Sequence, residues 1–127
     1  MTAITAKDLV AEATRHIVTI SAEEAVKLIG KPNVAFIDLR EMEELAKSGS
    51  VLDAVHVPRG LLEFQVDPAS PTHNFELGGG KKLVLFCGSG SRSALAAKSL
   101  TDMGVKDVAH LTGGSPALRQ AGAATRS

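Results

Sequence analysis

Apolar residues recur along the chain in short blocks whose spacing alternates between helical and strand-like periods. Leu9, Val10 and Ala13 fall at helical spacing within Ala6 to His16 and predict a leading helix. Val18 to Ile20 is a β-branched run that reads as a short strand. Ser21 follows, with Glu24 placed to complete a capping box, and the helix they open is expected to run to Ile29 and stop at Gly30 and Pro32. Val34 to Leu39 is apolar except for Asp38, as in a strand buried on both faces. Glu41 to Lys47 reads as a short helix ended by Gly49, and Ala54 to Val57 as a short strand closed by Pro58.

The pattern then lapses. Arg59 to Gly80 is irregular: Leu61, Leu62 and Phe64 allow a helical turn, but Pro68, Pro71 and the Gly78-Gly79-Gly80 run mark a long surface excursion. Order resumes with the clearest strand, Leu83 to Phe86, and the clearest helix, Ser91 to Met103. The helix carries Ala94, Leu95, Ala97 and Leu100 on its apolar face and Gly104 as its stop. Val108 to Leu111 is a last strand, followed by Gly113-Gly114 and a short helix from Pro116. Ala121 to Ser127 is small and polar and is expected to fray. Strands alternating with helices at these lengths predict an α/β domain with a mainly parallel sheet.

Composition narrows the function classes. A chain of 127 residues suits one domain. Lys+Arg and Asp+Glu both number 14, a balance that weighs against a general nucleic-acid binder. Aromatics are 3%, all Phe, too few for a base-stacking platform. No apolar run approaches the ~18 residues of a membrane span. Met1 to Val10 carries Lys7 and Asp8 and lacks a signal-peptide core. The single unpaired cysteine, Cys87, fits a reducing, cytoplasmic location. One thiol excludes an internal disulfide and a Cys-rich zinc site. His56, His73 and His110 do not fall at metal-ligand spacing and read as surface or hydrogen-bonded structural residues.

Cys87 stands where the best strand meets the best helix, in the run Cys87-Gly88-Ser89-Gly90-Ser91-Arg92-Ser93. Ligands of open α/β sheets sit beyond the carboxyl ends of strands. Gly88 and Gly90 permit backbone angles other residues resist, so a tight loop can turn successive N–H groups inward as an anion-binding nest. The helix N-terminus and Arg92 add positive potential at the same place. Each of these favours thiolate over thiol, the condition for a nucleophile. A Walker loop is excluded by the absence of Gly-Lys-Ser/Thr at the helix start, and a dinucleotide fingerprint by Ser at position 93. Ser89 and Ser91 either donate hydroxyls or merely fill the loop. Arg92 either binds an anion or locks the loop through carbonyls or Asp/Glu.

This loop resembles the Cys-x-x-Gly-x-Arg-Ser loop of the rhodanese family of sulfurtransferases. Three further blocks resemble the family in order and spacing: Phe36-Ile37-Asp38-Leu39-Arg40-Glu41, the stretch His56 to Phe64, and Val108-Ala109-His110-Leu111-Thr112-Gly113-Gly114. Together they span about Val18 to Leu118, leaving residues 1–17 as a leading helix and 121–127 as a tail of a single domain. The chain departs from the family at Ser50 and Asp53, where a His and a Gly are usual, and at Leu118, where the family has Trp. The resemblance implies a three-layer fold with a mainly parallel five-stranded sheet.

It also implies sulfur transfer through a Cys87 persulfide held by the amides of Gly88 to Ser93, with no metal or organic cofactor. The implied partners are a small anionic donor such as thiosulfate and an acceptor such as cyanide or a small-molecule or protein thiol, with a second copy of the chain as a further candidate. Cysteine phosphatases of related architecture place one residue more between Cys and Arg than the four found here, so the smaller ring suits sulfur better than a tetrahedral phosphate. Alternatives are a persulfide relay or binding module for a protein partner, and an arsenate reductase or phosphatase. Asp38 and Arg40, at a neighbouring strand end, either shape the pocket or serve as a helix cap and a surface ion pair. Arg59, in the long excursion, either covers the site or is a solvated loop charge.

Overall fold

The β-branched and apolar blocks form strands that pair side by side rather than folding back as hairpins, because a helical or looped crossover separates each from the next. The computed structural model describes residues 3–127, so Met1 and Thr2, part of the expected leading segment, lie outside the described residues. In chain order the elements are α1 (Ala6–Thr14), β1 (Val18–Ile20), α2 (Ala22–Val26), β2 (Val34–Asp38), α3 (Met42–Ser48), β3 (Ser50–Val51), β4 (Ala54–His56), α4 (Leu62–Val66), β5 (Lys82–Phe86), α5 (Ser91–Asp102), β6 (Val108–Leu111), α6 (Gly114–Gln120) and β7 (Thr125–Arg126). Single 3-10 turns occupy Arg59–Leu61 and Phe75–Leu77.

Five strands form one sheet in the order β1-β6-β5-β2-β4, and every neighbouring pair is parallel. The period-two alternation of the strands divides the core. Ile37, Leu39, Leu83, Leu85 and Cys87 point into one apolar layer with Ala97 and Leu100 of α5 and Leu62 and Val66 of α4. Phe36, Val84, Phe86 and Leu111 point into the other, with Ala22 and Ala25 of α2 and Leu118 of α6. Cys87 is thus carried by strand alternation onto the α5 side of the sheet, beneath the helix whose N-terminus follows it.

Several boundaries differ from the sequence reading. The Ser21–Glu24 capping box forms: the Glu24 N–H donates to Ser21 Oγ at 3.1 Å and the Ser21 N–H to Glu24 Oε1 at 3.1 Å. Yet α2 ends at Val26, and the chain tightens into turns, with the Leu28 N–H bonded back only to Ala25 O. α6 begins at Gly114 rather than Pro116, because proline is tolerated in a helix's first turn. The tail expected to fray is held in part: Thr125–Arg126 pairs antiparallel with Ser50–Val51 in a second, two-stranded sheet. Backbone ladder bonds anchor these small, polar residues in place of an apolar face.

Candidate active site

β5 ends at Phe86, and Cys87 begins the loop that turns into α5. The loop closes on its own sulfur. The Gly90 N–H donates to Cys87 Sγ at 3.1 Å, and Ser93 Oγ stands 3.7 Å from the same atom. Gly90 holds φ +110, which an L side chain resists, and this angle turns its amide inward. Gly88, expected to need the same freedom, does not have a positive φ. A side chain there would instead meet Arg92 Nη2 at 3.1 Å. The twelve-residue α5 directs its free N-terminal amides at the loop.

These contacts favour the thiolate. Burial raises the pKa of Cys87, but hydrogen bonds from the backbone N–H groups of Ser89, Ser93 and Gly90 and from the Ser93 hydroxyl outweigh it. The thiol is held below its ordinary 9.0. Cys87 itself has 0% relative exposure.

Arg92 is tied to a neighbouring helix. Its Nη1 and Nη2 donate to the two carboxylate oxygens of Glu44 in α3, at 2.7 and 2.9 Å. Both terminal nitrogens are thus engaged by a carboxylate. Glu44 also accepts from the Glu41 N–H at 2.9 Å, and its carboxyl is lowered to about 2, chiefly by Arg92 and then by that backbone bond. Glu44 is a residue the sequence reading missed. The signal was its place in the helix that follows the Asp38–Arg40 strand end, on the same sheet edge as the loop.

Asp38 and Arg40 are neither helix cap nor surface pair. Both side chains are 2% exposed and bonded to each other, Arg40 Nη2 to Asp38 Oδ2 at 2.8 Å and Nε to Oδ1 at 3.0 Å. Arg40 continues to Ser48 Oγ at 2.8 Å and the Gly49 carbonyl at 3.0 Å, which fixes the C-terminal end of α3 against β2. With Glu44, Lys47, Gly88 and Ser115 it lines a groove of about 310 Å³ beside the loop. Arg59 pairs within its own excursion: its guanidinium bonds Glu63 at 2.9 Å, and Glu63 accepts from Ser99 Oγ at 2.6 Å. His56 Nε2 lies 2.6 Å from the Arg40 carbonyl and His73 Nδ1 3.0 Å from the Gln65 carbonyl, both structural contacts.

The far wall of the loop is α6. The Ser115 N–H donates to the Cys87 carbonyl at 2.8 Å. This approach requires Gly114, at φ +67, because a Cβ there would sit 2.5 Å from the Gly88 carbonyl carbon and oxygen. The Gly113-Gly114 step is therefore part of the site, although it lies more than twenty residues downstream of Cys87. Among the described residues no helix is long and apolar enough to cross a membrane, and no cluster of three or more His, Cys, Asp or Glu could hold a metal ion.

Comparison with known proteins agrees with this geometry. The model of the rhodanese-like domain matches residues 21–121. An uncharacterized protein of Synechocystis sp. is 32% identical over 115 residues, 91% of this chain, which spans 59% of that relative's length. A Rhodopseudomonas palustris protein of unknown function, described as a possible tyrosine phosphatase, superimposes with TM-score 0.91 and 37% identity, over 99% of this chain and 97% of its own. The polysulfide-sulfur transferase homodimer of Wolinella succinogenes matches with TM-score 0.73 and 30% identity, over 94% of this chain and 85% of its own. A family model covering most of the chain, together with the parallel five-stranded fold and its cysteine loop, places the protein: it belongs to the rhodanese-like domain family.

Proposed function

We propose that the protein is a sulfurtransferase that carries sulfane sulfur as a persulfide on Cys87. The observation that carries this reading is the loop closed around Sγ by inward N–H groups, with only four residues between Cys87 and Arg92. In the first step the Cys87 thiolate attacks the outer sulfur of a donor such as thiosulfate. The new S–S bond forms as the donor's S–S bond breaks, sulfite leaves with the bonding pair, and the enzyme holds Cys–S–S⁻. In the second step an acceptor nucleophile, cyanide or a thiolate, takes the outer sulfur and returns Cys87 to thiolate. No net oxidation of the protein occurs, and once the thiolate is formed neither step requires a further proton transfer at sulfur. The preorganised amides serve both steps, because each places negative charge on sulfur at the loop centre.

The match to the Wolinella polysulfide-sulfur transferase supports this chemistry. Phosphoryl transfer is the second reading, raised by the description of the R. palustris protein. A transferring phosphoryl group spreads charge over three equatorial oxygens and calls for cationic donors. Here Arg92 is engaged at both terminal nitrogens by Glu44. The chain has no second cysteine, so a persulfide on Cys87 cannot be discharged by an internal disulfide and the acceptor comes from outside. Incubation with thiosulfate and cyanide tests the proposal by thiocyanate release. Turnover of an aryl phosphate without thiocyanate release would favour the phosphatase reading.

A further inference from the structure

The sulfur-transfer mechanism leaves a buried histidine unused. His110, in β6, is 5% exposed, and its Nδ1 lies 2.8 Å from Ser93 Oγ. Ser93 is 0% exposed and stands 3.7 Å from Cys87 Sγ, with the Gly90 carbonyl 3.2 Å away as its other acceptor. Among the described residues no fully buried side-chain nitrogen or oxygen lacks a hydrogen-bond partner. Among the described residues His110 Nε2 has no such partner, so this edge of the ring retains contact with solvent. A continuous chain therefore runs from solvent through the imidazole and one hydroxyl to a sulfur that has no exposure of its own.

We propose that Ser93 and His110 form the proton path of Cys87, with His110 a positioning residue that accepts the thiol proton through Ser93. The inference rests on Cys87 being the nucleophile of the reaction proposed above. In the resting thiol state the Ser93 O–H donates to Nδ1, and Nε2 carries the ring proton. As sulfur attacks, the Sγ proton passes to Ser93 Oγ and the Ser93 proton passes to Nδ1. Nε2 then releases its proton to water. The ring is left as the Nδ1–H tautomer, donating to Ser93, whose hydroxyl now donates to the charged sulfur. One proton leaves the protein and no electrons change hands.

The surroundings suit this role. Burial lowers the pKa of His110, which keeps the ring neutral and able to accept. The titratable group facing it across the chain is Cys87. Beside it in register stand Thr19 of β1 and Leu85 of β5, neither of them charged. The Arg92 guanidinium, bonded to Glu44, is coupled electrostatically to Cys87 rather than to His110.

The test is the pH profile of Cys87 carboxamidomethylation by iodoacetamide, followed by intact mass, in wild type and His110→Asn. Asparagine keeps a hydrogen bond to Ser93 but cannot take the proton. The variant is expected to react roughly ten-fold or more slowly near pH 6 and to converge with wild type near pH 9.5, where thiolate is already formed. Ser93→Ala, which breaks the path at its other joint, is expected to reproduce the loss, and the double variant to add nothing to either. Coincident profiles for wild type and His110→Asn, or an unchanged profile for Ser93→Ala, would overturn the relay. Sulfur uptake from thiosulfate is measured on the same samples. A wild type that shows the extended acid limb but takes no sulfur retains the relay and loses the sulfurtransferase reading. One that takes sulfur with variant profiles unchanged does the reverse.

Discussion

Arg92 and Glu44 are joined by two parallel charge-assisted hydrogen bonds, at 2.7 and 2.9 Å, across a sequence separation of 48 residues. The pair ties the cysteine loop to α3, and it titrates. Glu44 has a folded pKa of about 2 against an ordinary 4.5, so the stability it contributes is full above pH 4.5 and is lost as pH falls toward 2. Both side chains are more than a third exposed, so solvent screening limits the pair to about 1 kcal/mol. Glu44→Gln is expected to lower stability by that amount at neutral pH and to flatten the acid limb of a urea-midpoint profile. Sulfur uptake should fall as the loop loosens. A variant with wild-type midpoints from pH 2 to 5 would show that the pair does not hold the loop.

The Asp38–Arg40 pair obeys different rules because it is dry. Removing one member leaves the other charged and buried, which costs about 3–5 kcal/mol. Asp38→Ala is therefore expected to destabilise several-fold more than Glu44→Gln, although neither touches Cys87. Chemical denaturation of the two variants side by side measures the contrast. Equal losses would contradict the burial argument.

Gly114 and Gly104 both have positive φ, at +67 and +92, but only Gly114 faces backbone where a Cβ would go. Alanine at Gly104 should cost only the backbone strain, about 1–2 kcal/mol. At Gly114 it must also displace Gly88 from 2.5 Å, and so should cost at least about 2 kcal/mol more and disable the loop. Melting temperatures and sulfur uptake of the two alanine variants are the check.

Cys87 is held below its ordinary pKa of 9.0, because the amides of Ser89, Ser93 and Gly90 prevail over burial. The half-maximal pH for iodoacetamide reaction should therefore be lower in the folded protein than in the urea-unfolded chain. By linkage, the thiolate's contribution to stability is full above about pH 9 and declines as pH falls through the folded value. Zero exposure adds a size effect: a bulky maleimide should react more slowly than iodoacetamide, and unfolding should erase the difference.

Most of this arrangement was legible in the sequence where a local rule was strong enough. Val18–Ile20 and Val108–Leu111 are strands with the bounds the apolar pattern predicted, and the glycine loop after Cys87 announced the site. What could not be read locally were partnerships between distant segments. Arg92 was ambiguous because its partner, Glu44, lies on another helix. Asp38 and Arg40 leave a pocket-shaping role open against a cap and a surface ion pair, because burial of a charged pair depends on the packed sheet edge around them. His110 reads locally as a surface or hydrogen-bonded structural residue, since only the β5–β6 pairing sets it beside Ser93. Thr125–Arg126 has no apolar signature, and only its ladder with Ser50–Val51 holds it.

Intact mass of the protein after thiosulfate treatment measures the proposed chemistry at its first covalent step. Wild type is expected to gain one sulfur atom and to release it as thiocyanate when cyanide is added, while Cys87→Ser, folded to the same melting temperature, gains none. No sulfur adduct and no thiocyanate from wild type, or equal uptake by Cys87→Ser, would contradict the assignment of Cys87 as a persulfide carrier.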